Sequence, residues 1–336
     1  MSYQSALEKL RDLGMHGMAA ARDGRTIAKA VVTPYRLDRP HALFSLTKSF
    51  TSLAIGFCVQ EGLLSPDDKA VSFFTNRLPC RLSKKMEIIT VRHLLMMATG
   101  HTKEPYYWPD EREPLDNFLR SDPEAEPGGV FLYNTAGSHV LGYIVETVSG
   151  SSLEDYLRPR LLEPLGLDGW RWDRHPDGAC MGGVGLHLST QDILKFGNFL
   201  LFEGSYNGKQ LIYKEWIREA TSKKITQPGD PGTEWTSGYG YQFWINRRED
   251  SYRADGAFGQ FCVVIPRRGL VIAMNSGTQD MGGMLDVIFD ELVPALGPAN
   301  NGLTELFVPS QENEKQRRLR QWLVGGTPWT YTEIMT

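Results

Sequence analysis

Cysteine is scarce in this chain and nowhere arranged for metal or redox work. Four occur in 336 residues, Cys58, Cys80, Cys180 and Cys262. They show no C-x-x-C spacing and no regular framework, which excludes a zinc ribbon or a disulfide scaffold. Cys58 and Cys262 stand in apolar runs and read as small core residues. Excess positive charge is lacking too. The 36 Lys and Arg against 40 Asp and Glu leave a formal net charge of -4, so nothing electrostatic favours nucleic acid. No apolar stretch approaches the roughly 20 residues that span a bilayer, and the polar start, Met1 to Leu10, has no signal-peptide core. These absences predict a protein of the reducing cytoplasm with no nucleic-acid or membrane partner. Also missing are a G-x-S-x-G nucleophile elbow, an H-E-x-x-H zinc motif, a glycine-rich phosphate loop and a dinucleotide fingerprint. The seven histidines are scattered, and His93, His139 and His187 lie in helix-like or strand-like contexts that suit structural roles. No metal and no cofactor is expected.

What is present begins with one stretch. From Leu46 to Leu64 the residues are nearly all apolar or small, among them Phe50, Leu53, Ile55, Phe57 and Val59. That is too apolar all round for a surface helix and predicts a buried one, with Ser45 in its first turn and Glu61-Gly62 as its stop. Lys48 is the only full charge between Ser45 and Glu61, and the i, i+3 spacing sets its amine beside the Ser45 hydroxyl. A buried ammonium tends to lose its proton near neutral pH, after which the amine can act as a base. Ser45/Lys48 is also the only S-x-x-K pair in the chain. A serine nucleophile served by a lysine base is the chemistry this predicts.

The rest of the chain reads as an ordinary soluble α/β protein. Hydrophobic residues make up 41% and charged residues 23%, and the length suits one large domain or two intimately joined ones. Ser2 to Leu13 has an amphipathic helical pattern. Gly17–Ala21 and Thr26–Val32 flank Arg22-Asp23-Gly24-Arg25, a hairpin turn signal. Helices are expected at Thr90–Met97, after Tyr133, at Leu153–Leu162, at Thr190–Phe202 and at Met281–Leu296. Strands are expected at Tyr239–Ile245, Gln260–Ile265 and Leu270–Asn275. Between His101 and Pro127 prolines and charges increase, with Tyr106, Tyr107 and Trp108 together; these aromatics either border a cleft or cap the core. Strands at both ends with helices between predict an α/β domain from residues 1–65 and 200–336, the last 37 positions from 300 a peripheral extension with Trp322 and Trp329 docked. A mainly helical domain, 66–199, is inserted, and the active site lies between the two.

Two more segments extend the serine–lysine pattern. Tyr133-Asn134-Thr135 precedes an apolar helix, where a phenol near a neutral lysine could relay a proton. Asp255-Gly256-Ala257-Phe258-Gly259-Gln260 opens a strand, and its glycines allow a backbone N–H to approach an oxyanion. In this order the three segments resemble the serine hydrolases that include class C β-lactamases, penicillin-binding proteins and related esterases. Glu61-Gly62-Leu63-Leu64 with Asp67-Asp68, Ile89 to Leu95, Gly182-Gly183-Val184-Gly185 to Asp192, and Gly238-Tyr239-Gly240 resemble the same family, over roughly residues 15 to 295.

The resemblance implies a β-lactamase/DD-peptidase-like fold, an antiparallel sheet flanked by helices with a helical insertion. It implies Ser45 as acylated nucleophile, Lys48 as base, Tyr133 as the second-motif phenol, and the N–H groups of Ser45 and Ala257 as oxyanion hole. Thr135, Asp255, Gly256, Tyr107 and Trp108 are the expected substrate contacts. Two positions depart from the β-lactamase pattern: Thr135 replaces the usual asparagine, and Ala254-Asp255-Gly256 replaces Lys or His with Thr/Ser-Gly. With Asp255 in place of a cation, an anionic β-lactam is expected to fit poorly. A small neutral or amine-bearing ester or amide is expected instead, as in the esterase and aminohexanoate-oligomer hydrolase branch. β-Lactamase or D-peptidase activity, and a catalytically silent binding protein of the same fold, are the alternatives.

Overall fold

The computed structural model describes residues 2–105, 114–297, 303–307 and 323–324. Helix α1 (Tyr3–Asp12) is capped by the Ser2 hydroxyl, which accepts from the Ser5 N–H. It leads into the hairpin of β1 (Met15–Arg22) and β2 (Arg25–Thr33). The Asp23-Gly24 turn lies where the sequence predicts it, with φ of 48° and 77°, which matches the twist of paired antiparallel strands. Strands β3 (Trp244–Ile245), β4 (Tyr252–Gly256), β5 (Gln260–Ile265), β6 (Leu270–Ser276) and β7 (Leu303–Phe307) join them. The seven-stranded order is β7-β2-β1-β6-β5-β4-β3.

Every neighbouring pair in this sheet is antiparallel except one: β7 runs parallel to β2, from Leu303 opposite Lys29 to Phe307 opposite Thr33. The sheet is therefore mixed, which corrects the antiparallel expectation. Within the segment from 300 onward, Leu306 is buried in the core beside α1. Its neighbours in the tail, including Trp322 and Trp329, lie outside the described residues.

Alternation sorts the side chains of the sheet into two cores. Met18, Ala20, Ile272 and Met274 face one that α1 and the helix starting at Met281 close. Ala19, Ala21, Val271 and Ala273 face a larger one. Helix α2 (Thr47–Gln60) runs through this larger core, buried without a break from Thr47 to Cys58. Its polar side chains are satisfied by backbone: Ser49 Oγ donates to the Gln242 carbonyl and Thr51 Oγ1 to the Gly182 carbonyl, each at 2.7 Å. Helix α3 (Thr135–Ser149) packs on α2, and the short helices Val91–Leu95 and Pro114–Arg120 pack on α3. The same core continues into them.

Helix α4 (Thr190–Leu201) lies on β1, β5 and β6. A Cβ added at its Gly197 would come 2.3 Å from Val271 Cγ1, so a glycine is what lets it sit this close. The division drawn at residue 199 thus falls inside a helix of the sheet layer, and the helical insertion ends before Thr190. An amphipathic stripe records that a helix has a buried face, not what covers it. One strand is also shorter than expected: of Tyr239–Ile245 only Trp244–Ile245 joins the sheet. Gln242 ahead of it has a φ of 64°, which no strand accommodates.

Candidate active site

Ser45 lies on a 3₁₀ turn, Phe44–Leu46, that feeds directly into α2. From His41 to Cys58 it is the one residue that is not buried. Lys48, one turn on, is 1% exposed. Its Nζ lies 3.0 Å from Ser45 Oγ and donates to the Gly183 carbonyl at 2.7 Å. Burial drives the Lys48 pKa down from 10.5 to about 7, against the opposing pull of the Glu104 and Asp255 carboxylates. Near neutral pH the amine is therefore divided between a form that donates to Ser45 and a form that accepts its proton.

Tyr133 stands across from this pair, with Lys48 Nζ 5.1 Å from its ring centroid. Its ring stacks on Trp244 at 5.5 Å and meets Tyr239 edge-on at 6.3 Å, and Phe131 completes an aromatic wall. Asn134 is used structurally: its side chain accepts from the Gly137 N–H as the N-cap of α3 and donates to Thr99 Oγ1. Thr135 and Ala136, the first residues of that helix, direct their N–H groups at Glu104 Oε2 and Oε1, at 2.7 and 3.0 Å. The expected contacts Tyr107 and Trp108 lie outside the described residues.

The third segment differs from its sequence reading. Asp255-Gly256 ends β4, Ala257 to Gly259 form a turn, and Gln260 opens β5, so the motif sits at a hairpin tip. The turn needs positive φ at Phe258 and Gly259. Gly256 is pressed against the nucleophile turn: a Cβ there would lie 2.0 Å from the Leu43 carbonyl oxygen and 3.1 Å from the Leu46 nitrogen. That contact sets Ala257, half-buried, beside the turn that carries Ser45.

Asp255 does not stand alone as an anion. Its Oδ2 accepts from Arg253 Nε at 2.8 Å, and Arg253 is fully buried. The guanidinium also donates to Asn246 Oδ1 and the Glu234 carbonyl and lies 5.2 and 5.7 Å from the ring centroids of Trp235 and Trp244. Burial raises the Asp255 pKa while Arg253 opposes the rise. A cation is thus present beside the third motif after all, two residues earlier on the same strand face.

Four further participants escaped the sequence reading of the site. Glu104 faces the first turn of α3, and Gly183 supplies the carbonyl for Lys48. His139 Nδ1 accepts from the Gly183 N–H at 3.3 Å and is 3.0 Å from His175 Nε2; burial and His175 hold His139 neutral, well below its ordinary pKa. Gln242 ties α2, α3 and the Val91–Leu95 helix together through Ser49, Ser138, Leu94 and Leu95. Gly183 and His139 were visible as a glycine cluster and a helix residue, but their contacts span distant segments. Among the described residues no group of three or more His, Cys, Asp and Glu could hold a metal, and no helix is long and apolar enough to cross a membrane.

Comparison with known proteins agrees with this geometry. An uncharacterised protein of Alkalihalophilus pseudofirmus is 25% identical over 70% of this chain and 72% of its own length. The 6-aminohexanoate-dimer hydrolase of Paenarthrobacter ureafaciens is 22% identical over 81% of this chain and 75% of its own. Two Escherichia coli relatives are matched over only 32% of their length. In fold, the octameric penicillin-binding protein homologue from Pyrococcus abyssi superposes with a TM-score of 0.70 at 23% identity, covering 88% of this chain and 77% of that one. The β-lactamase family profile matches residues 4–289. A sheet with helices on both faces, a buried lysine against a serine at the head of a central helix, and that profile together make this chain a member of the β-lactamase family of serine hydrolases.

Proposed function

We propose that this protein hydrolyses a small ester or amide through an acyl-enzyme on Ser45. The observation that carries the reading is the Lys48 amine, buried, 3.0 Å from Ser45 Oγ, with its second hydrogen bond to a neutral carbonyl. In its neutral form Lys48 takes the Ser45 proton as Oγ attacks the substrate carbonyl carbon. The N–H groups of Ser45 and Ala257 hold the tetrahedral oxyanion. As the C–O or C–N bond breaks, the proton passes from Lys48, by way of the Tyr133 hydroxyl, to the departing oxygen or nitrogen. Water then attacks the acyl ester, returns a proton through the same groups and releases the acid. Thr135, Asp255 and Gly256 border the substrate.

Charge narrows the substrate class. Two carboxylates, Glu104 and Asp255, act on the Lys48 amine, and Arg253 partly offsets the second. Neutral or amine-bearing substrates are therefore favoured over carboxylate-bearing ones. The likeness to a 6-aminohexanoate-dimer hydrolase supports an amide or ester of that kind.

The test is covalent. A fluorophosphonate should label Ser45, found by peptide mapping, and Ser45→Ala should remove the label. In a panel of matched esters, the neutral compound should exceed its carboxylate analogue about tenfold in kcat/KM, the scale of one to two kcal/mol of repulsion. Faster turnover of nitrocefin than of any ester would make the protein a β-lactamase. Label on another serine would overturn the assignment, and absence of both label and turnover would leave a binding protein.

A further inference from the structure

We infer that Glu104 is a positioning residue for this reaction: its carboxylate holds the Tyr133–Thr135 segment in place, and its charge acts on the Lys48 amine. The first role rests on geometry. The opening N–H groups of a helix have no partner within it, and Glu104 accepts two of them, from Thr135 and Ala136, one on each oxygen. Asn134 caps a third, at Gly137. Thr135 is packed in turn against the residue that receives Lys48. A Cβ on Gly183 would lie 2.8 Å from Thr135 Cγ2 and 3.0 Å from its carbonyl oxygen. Glu104, Thr135, Gly183 and Lys48 thus form one continuous chain of contacts.

Glu104 is itself held in place. The strap that carries it is fixed at Thr99, which meets His101 Nδ1 at 2.9 Å, and at His101, whose Nε2 is 2.7 Å from Ser121 Oγ. The Thr102 N–H donates to Glu124 Oε2. Asn134 reaches the same strap through Thr99. Strap and second motif are therefore stitched to each other at two points.

The second role follows from what surrounds Lys48. Asp255 is partly offset by Arg253 at 2.8 Å. His139, reached through the Gly183 peptide, is neutral and paired with His175. Tyr133 presents its ring. Glu104 and Asp255 are the carboxylates that act on the amine, Glu104 the more strongly, and both favour the ammonium form where burial disfavours it. Removing Glu104 should let burial act with less opposition, so the Lys48 titration should move to lower pH.

The experiment reads Lys48 directly, by the pH titration of its ¹³Cε resonance in the whole protein, assigned with Lys48→Met. Glu104→Gln keeps one acceptor for the helix and removes the charge, and its midpoint should fall by about one pH unit. Glu104→Asp keeps the charge on a shorter arm; its midpoint should stay within a few tenths of wild type while its Tm falls. A residue that only capped the helix would lower Tm in both variants and move neither midpoint, and that result would overturn the inference. So would an equal fall in both variants, or a rise in Glu104→Gln. If Glu104→Gln does not fold, Glu104→Asn takes its place: it also removes the charge, its midpoint should fall likewise, and an unmoved midpoint overturns the inference. The kinetic consequence rests on the serine hydrolase reading: the acid limb of Ser45 labelling should shift to lower pH in Glu104→Gln. A shifted Lys48 titration in a protein that does not label at Ser45 would sink that reading and leave this one standing.

Discussion

Two basic side chains, Lys48 and Arg253, are buried within reach of Asp255, and they are treated in opposite ways. Arg253 has a carboxylate partner, an amide oxygen, a backbone carbonyl and two indole faces. Lys48 has a hydroxyl and a carbonyl. Their exposure is nearly the same, 0% and 1%. A guanidinium stays charged in any protein interior and suits a fork of fixed acceptors, whereas a primary amine gives up its proton when the surroundings do not compensate it. Burial alone therefore does not lower a cation's pKa; on the proposed reading Lys48 serves as base because its nearest partners are neutral.

The sharpest way to break the comparison is to put the wrong cation at the base position. Lys48→Arg should lower Ser45 labelling by about 10²–10⁴-fold, the usual worth of a general base, because the guanidinium cannot accept the serine proton. Labelling within tenfold of wild type would remove lysine from the mechanism.

The next effect is on stability. Arg253→Met leaves Asp255 buried without its partner, and a broken buried pair typically costs about 3–5 kcal/mol. Urea unfolding should show that loss, and Arg253→Met/Asp255→Leu should recover part of it. Equal stability of Arg253→Met and wild type would mean that the pair is dispensable and that Asp255 is free to reach substrate.

The third prediction concerns Lys48 and pH. Its pKa is about 7 when folded and about 10.4 when unfolded. Below pH 7 both states are protonated and the folded state bears the whole cost of the buried charge. Between pH 7 and about 10.4 the unfolded chain binds more protons, so stability rises with pH. Lys48→Met should therefore stabilise the protein by several kcal/mol at pH 7, with the gain fading towards pH 10. A gain that does not depend on pH would mean that Lys48 is not desolvated in the folded state.

Much of this was legible in the sequence where a local pattern carried the information. The apolar run after Ser45 required a buried helix, the S-x-x-K spacing required a serine beside a lysine, and Asp23-Gly24 required a tight hairpin. What escaped were relations between distant segments. Glu104 looks like any surface acid until α3 is placed before it. Arg253 and Asp255 share a strand face by simple alternation, yet Tyr252–Gly256 lacks a clear strand pattern of its own, and its last two residues read as the opening of the strand at Gln260. The helix that straddles residue 199 illustrates the same limit: α4 and the inserted helices have similar stripes and different neighbours.

The parallel strand Leu303–Phe307 has a bearing on handling. It pairs along β2 and takes over from it as the outermost strand of the sheet among the described residues. Open margins recruit strands from other molecules. A version of the protein cut after Gly297 would keep Ser45, Lys48, Tyr133 and the hairpin tip, and would show their chemistry when dilute. In concentrated solution it should pair through the longer edge of β2 that is then exposed, two copies joining edge to edge as a dimer.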